Sequence, residues 1–209
     1  MRRSRKRIPH RRKREGKTDY RVRLELLKSR KPRLVVRRSL NNITCQIVKF
    51  YPEGDKTLVS ADSKELKKFG WKFHCGNRPS AYLTGLLCAE KAKKHKVSES
   101  ILDMGLYEST PGNRLYSALK GAIDGGLEVP HSEGILPKPE RLAGQHVSQY
   151  AEKLKKSSPS RYRKVFSSYL KGKTDPREMP KVFEQAKRKI SGVKETKKEP
   201  EKTKSKPKK

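Results

Sequence analysis

The chain has 209 residues and a net charge of +32, from 54 Lys and Arg against 22 Asp and Glu. An excess of that size, spread along the chain, is the electrostatic footprint of a nucleic-acid binder, because each neutralised phosphate releases condensed counterions. At 32% hydrophobic content a sizeable core forms only if the apolar residues concentrate in one region.

Anionic membrane is the rival partner, and the sequence offers it little. No apolar run approaches a membrane span, and the first residues lack the apolar stretch of a secretory signal. Arg2 stands where myristoylation needs glycine, and the final KPKK is no prenylation box. Cys45, Cys75 and Cys88 are odd in number and widely spaced, which fits neither a disulfide framework nor a zinc pair. They are expected to be reduced, partly buried thiols in a soluble, cytoplasmic protein.

Residues 1 to 19 carry almost no apolar side chain, and nine of the first fourteen are Arg or Lys, so this arm is expected to be disordered alone. Tyr20 to Lys28 reads as a short helix ended by Lys31-Pro32. LVVRRS, NITCQIVKF and KTLVSA then read as three strands in antiparallel hairpins. Ser63 opens a short helix closed by Gly70, and Asn77-Arg78-Pro79-Ser80 opens a longer one whose last turn carries Lys91, Lys93 and Lys94. Residues 99 to 107, ESILDMGLY, read as a further strand. Thr110 to Asn113 is a turn before a helix that stops at Gly125-Gly126.

These elements predict an α/β fold, a mostly antiparallel sheet with helices packed on one face, over residues 32–132. Residues 1–31 form the basic arm with its short helix. Residues 133–193 form a helical extension in three basic amphipathic segments, punctuated by Pro159, Pro176 and Pro180. Helices this short are expected to pack on the α/β unit, a neighbour or RNA. The Lys/Glu/Pro tail, 194–209, is expected to be disordered.

Within the first strand Leu34 and Val36 alternate with Arg33 and Arg37, so the apolar pair is expected to face the core and the arginines to face RNA. RNA is preferred to DNA because zinc-finger spacing, a basic zipper and a clear helix-turn-helix are all missing, while the charge sits on irregular segments able to follow a folded RNA surface. In TPGNRLYSALKGAIDGGLEVPHS the helix N-terminus at Asn113, beside Arg114, suits a phosphate, and the later glycines would let an RNA or protein backbone approach. Catalysis finds little support. The five histidines are scattered, Asp62, Asp103 and Asp124 look like isolated carboxylates, and His74-Cys75 would point to opposite faces of a strand. Neither a cofactor, a metal nor a small-molecule substrate is expected.

Three motifs in order, RRKREGKTDYRVRLELLKSRKPRLVVRRSLNNITCQI, GWKFHCGNRPSAYLTGLL and TPGNRLYSALKGAIDGGLEVPHS, resemble the archaeal and eukaryotic form of the large-ribosomal-subunit protein family called L-eighteen, whose eukaryotic member is called L-five. The resemblance spans about residues 10 to 135 and is nearer the archaeal type. It implies a structural component of the ribosome that binds 5S rRNA in the central protuberance, beside large-subunit rRNA and neighbouring ribosomal proteins. Carried over by motif, Arg11, Arg12, Lys13, Arg14, Lys17, Tyr20, Arg23, Arg33, Arg37 and Arg38 are the residues expected on 5S rRNA, with Asn113, Arg114, Lys120 and His131 from the third motif. A basic ribosome-biogenesis factor or RNA chaperone that leaves the finished particle is the alternative.

Overall fold

A computed structural model describes residues 8–192. The start of the arm and the Lys/Glu tail, for which disorder is expected, lie outside the described residues. The arm enters as one exposed helical turn, α1 (Arg11–Arg14), followed by α2 (Tyr20–Lys28), whose N-cap Asp19 accepts from the amides of Arg21 and Val22.

The sheet is built from β1 (Arg33–Arg38), β2 (Ile43–Lys49) and β3 (Lys56–Asp62), joined by tight turns and paired antiparallel as the β-branched runs predict. In the first turn the Ser39 amide donates to the Asn42 carbonyl and the Asn42 amide to the Ser39 hydroxyl; in the second the Gly54 amide donates to the Tyr51 carbonyl. A fourth strand, β4 (Ile101–Asp103), pairs parallel with β1, giving the order β3-β2-β1-β4. It is much shorter than the strand expected over residues 99 to 107. The Asp103 carboxylate accepts the Gly105 amide and Gly105 turns to φ +65°, ending the strand. Its direction follows from the crossover helix that returns the chain to the same end of the sheet before β4 begins.

Asp62, and not the predicted Ser63, caps the following 3₁₀ segment Ser63–Phe69. Its carboxylate and the Glu65 side chain form a reciprocal capping box, and Gly70 closes it at φ +90°. The crossover helix α3 (Arg78–Lys94), capped by Asn77, buries residues on every side. Its polar members are satisfied locally, the Ser80 hydroxyl donating to the Cys75 carbonyl and that of Thr84 to the Ser80 carbonyl. Helix α4 (Arg114–Asp124), capped by Asn113, packs against it backbone to backbone. A Cβ on Gly85 would lie 1.9 Å from the Ala118 carbonyl oxygen, and one on Gly121 2.0 Å from that of Tyr82. The close approach that glycine permits here is internal to the fold.

The three expected segments of the extension become five helices: α5 (Pro139–Ala143), α6 (Gln145–Ser157), α7 (Pro159–Val165), α8 (Ser167–Lys171) and α9 (Met179–Ile190). Gly144, at φ +78°, divides the first segment; Pro159 and Pro180 sit at helix starts, where a missing N–H goes unnoticed. Met179, Phe183, Ala186 and Ile190 form the stripe that seats α9 in the main core, with the Phe183 ring 5.4 Å from that of Tyr82. The extension therefore packs on the α/β unit, while Ala151, Leu154, Tyr162 and Phe166 gather in a small satellite cluster. All three cysteines are buried and unpaired, and burial pushes the Cys88 thiol up to about 12.

Candidate nucleic-acid interface

The alternation in β1 is as expected: Leu34 and Val36 are buried in the core under α3, and Arg33 and Arg37 project from the opposite face. That face, however, is partly covered: α2 borders it through Val22, Arg23 and Leu26, Arg33 is only 3% exposed, and Arg37 keeps 42% of its side chain exposed. Its two terminal nitrogens donate to Asp103 at 2.7 Å and Asp55 at 2.6 Å. Arg37 donates to the Asp103 carboxylate at 2.9 Å and to the Asp103 and Val36 carbonyls at 2.8 and 2.9 Å. Arg23, from α2, reaches Asp55 at 2.9 Å. Three guanidinium groups thus share two carboxylates in a network tying α2 to the sheet.

Asp103 is the hub of this network and not an isolated carboxylate. Burial alone would push its carboxyl up, but the Arg37 hydrogen bond and charge, the Gly105 amide and Arg33 together hold it below the usual range. Asp55, in the β2–β3 turn, does the same work from the other side. No sequence signal marked either residue, since their partners lie 22 to 70 positions away along the chain. The leucines of α2 contribute less than their number suggests: no α2 residue is buried, and Val22 and Leu24 are exposed.

Beyond this network the arm is open. Arg12 bonds Thr18 through Nε at 2.9 Å, and Arg11 and Lys17 lie against Glu15 at 3.6 and 2.9 Å. Lys13 and Arg14 make no ion pair among the described residues. Tyr20, half-buried, sits with its ring 5.1 Å from that of His10. Arg12, Lys17 and Arg23 border the same depression as Arg33 and Arg37, so the sequence-predicted arm and strand residues do come together, Arg33 beneath the others.

A second group forms around the end of β1. The Arg38 guanidinium lies 5.0 Å over the Tyr107 ring, and the two residues border a depression shared with Asn113 and Arg114. Asn113 is occupied as the α4 cap, accepting the Tyr116 amide, and Arg114 donates to the Gly76 carbonyl at 2.8 Å. Lys120 and His131 belong to neither group. Lys120 pairs with Asp124 at 2.9 Å, and His131 packs by Val129 with its Nδ1 2.8 Å from that carbonyl. His74 and Cys75 are no catalytic pair, because His74 Nδ1 accepts the Gly76 amide and burial pushes the Cys75 thiol up.

No group of three or more His, Cys, Asp or Glu among the described residues could hold a metal ion, and no described helix is long and apolar enough to cross a membrane. Residues 4–100 and 90–132 match the family described as ribosomal large subunit proteins 60S L5 and 50S L18. The chain is also 52% identical over 184 residues to the large ribosomal subunit protein uL18 of Methanococcus maripaludis, covering 88% of this chain and 95% of that protein. The chain belongs to this ribosomal protein family, of archaeal type. Members are structural proteins of the large subunit and not enzymes.

Proposed function

We propose that the chain binds 5S rRNA and anchors it in the central protuberance of the large subunit, beside large-subunit rRNA and neighbouring ribosomal proteins. The observation that carries this reading is the excess positive charge of the arm, where Arg12, Lys13 and Arg14 make no ion pair among the described residues, displayed next to a helix that Asp55 ties to the sheet. Arg11, Arg12, Lys13, Arg14 and Lys17 meet phosphates, with Tyr20 available to stack on a base. Arg23 and Arg37 have carboxylate partners already and fix the platform, and Arg33 stays beneath it. Membership in a family of large-subunit proteins favours a retained component over a factor that leaves the finished particle.

The reading is tested by titrating the full chain with 5S rRNA against a tRNA competitor over a range of salt. Several phosphate contacts predict a loss of affinity on the order of a thousandfold between low and moderately high salt, with 5S rRNA strongly preferred. Equal affinity for the two RNAs, or a complex indifferent to salt, would remove the 5S assignment.

A further inference from the structure

The dipeptide Asn-Arg occurs twice at a helix start, Asn77-Arg78 at α3 and Asn113-Arg114 at α4. The two helices run parallel, since Gly85 faces Ala118 while Gly125, further on, faces Ala89. Their N-termini therefore lie at the same end, joined by the bond from Arg114 to the Gly76 carbonyl. Arg141 comes from α5, which packs on α3 beside Arg78, and Arg38, at the end of β1, lines the same depression as Arg114. Each pair is close enough that one charge lowers the affinity of the other for its proton, after the larger effect of burial. His146 stands beside Arg78 and Arg141, and its buried Nδ1 has no hydrogen-bond partner.

Four guanidinium groups and the positive ends of two helices thus converge. None of the four makes an ion pair among the described residues. Glu108, which borders the depression with Arg38 and Arg114, offers its carbonyl to Asn113 and its carboxylate to none of them. Arg78 and Arg114 are half-buried while Arg38 and Arg141 are exposed, and like charges held together without a counter-charge, two of them partly dehydrated, are unfavourable in the free protein. The fold elsewhere neutralises such groups, as Asp55 and Asp103 do for Arg23, Arg33 and Arg37. Here it does not, so the missing charge must come from outside. Planar guanidinium forks match phosphate oxygens better than a carboxylate-bearing protein surface, since several oxygens can be met at once.

We propose that Arg38, Arg78, Arg114 and Arg141, at the adjoining N-termini of α3 and α4, form a second phosphate site that takes the backbone of folded rRNA, separate from the arm. It rests on the rRNA reading above. It adds Arg78 and Arg141 to the binding surface, and it places a contact on the packed α/β body rather than on the arm.

The double variant Arg78→Gln, Arg141→Gln tests it, leaving both asparagine caps and the Arg114 bond intact. The full-length variant and wild type are titrated with 5S rRNA and with deproteinised large-subunit rRNA. For at least one RNA the variant should bind about 10- to 100-fold more weakly, with a log–log salt slope shallower by about one to two. Its melting temperature should be unchanged or higher, because repulsion is relieved. The rise in melting temperature caused by tripolyphosphate should shrink. Wild-type affinity and slope for both RNAs overturn the site, and a lower melting temperature shows the arginines to be structural instead. If wild type binds neither RNA, the rRNA reading fails on its own. The phosphate site then stands if the tripolyphosphate effect shrinks in the variant, and falls if it does not.

Discussion

The two faces of the sheet are held by different forces. Under α3 the sheet buries Leu34, Val36, Ile43, Cys45, Ile47, Val59 and Ala61 against helices that approach to backbone contact, so this face is stabilised by removing apolar surface from water. On the other face α2 buries no residue and is tied down by Arg23, Arg33 and Arg37 on Asp55 and Asp103. Burial is indifferent to pH and salt over the ordinary range, whereas charge pairing is sensitive to both. The contrast shows how one chain can hold a firm body and still carry a basic arm: the arm is fastened through charges of the kind proposed to bind rRNA.

The largest effect should come from intruding on the apolar face. Gly121→Val would drive a side chain into the Tyr82 carbonyl, forcing α3 and α4 apart, and should lower stability by about 4 kcal/mol or more in denaturant melts. A loss below about 1 kcal/mol would mean that the helix contact yields easily and that burial there is not the governing force.

Asp103→Asn strikes the polar face. It removes the charge that faces Arg33 and Arg37, leaving a buried cation undercompensated, and should cost about 3 kcal/mol. Replacing Arg33 and Asp103 together by apolar residues of similar volume should recover much of that loss, since neither charge would then remain to be solvated. A double variant as unstable as the single one would show that the pair specifies packing beyond its charges.

Acid should separate the two faces without a mutation. The Asp103 carboxyl has a folded pKa below its unfolded value of about 3.9, so its stabilisation is full above that value and is lost as pH falls through the lower, folded one. Glu65 and Asp175, also held low, act in the same direction. Melting temperature should fall slightly from about pH 7 to 5, because burial and the neighbouring Arg141 and Arg78 hold His146 below its unfolded value and the unfolded chain takes up that proton first, and should drop more steeply below about pH 4. The Asp103→Asn variant should show a smaller drop; an equal one would shift the acid response to other carboxylates.

The smallest effect on stability should come from the arm itself. Arg14→Gln with Lys13→Gln removes two charges that make no ion pair among the described residues, so stability should change by less than about 0.5 kcal/mol. Affinity for 5S rRNA should nevertheless fall, by about tenfold at moderate salt, with a shallower salt slope. A destabilised fold would show that the arm is part of the body.

Local elements were legible because their causes are local. Asn77 and Asn113 as caps, Gly70 and the Gly125-Gly126 pair as helix ends, and the alternation in β1 each depend on residues within a turn of one another. The sequence by itself also determined the overall charge, the lean arm and the concentration of apolar residues in the middle, and with three ordered motifs it determined the family. Tertiary structure decided which arginines are free. Arg33, Arg37 and Arg38 stand within six positions, yet the first is buried on two aspartates, the second is braced on one, and the third lies over a tyrosine ring. The same holds for Asp103, plain in the sequence and central in the fold, and for the meeting of Arg78, Arg114 and Arg141. Periodicity reports which side of a strand a residue takes. What waits on that side is set by the crossover through α3 and by the ion pair that ties α2 to the β2–β3 turn, contacts between positions too distant for any local pattern to encode.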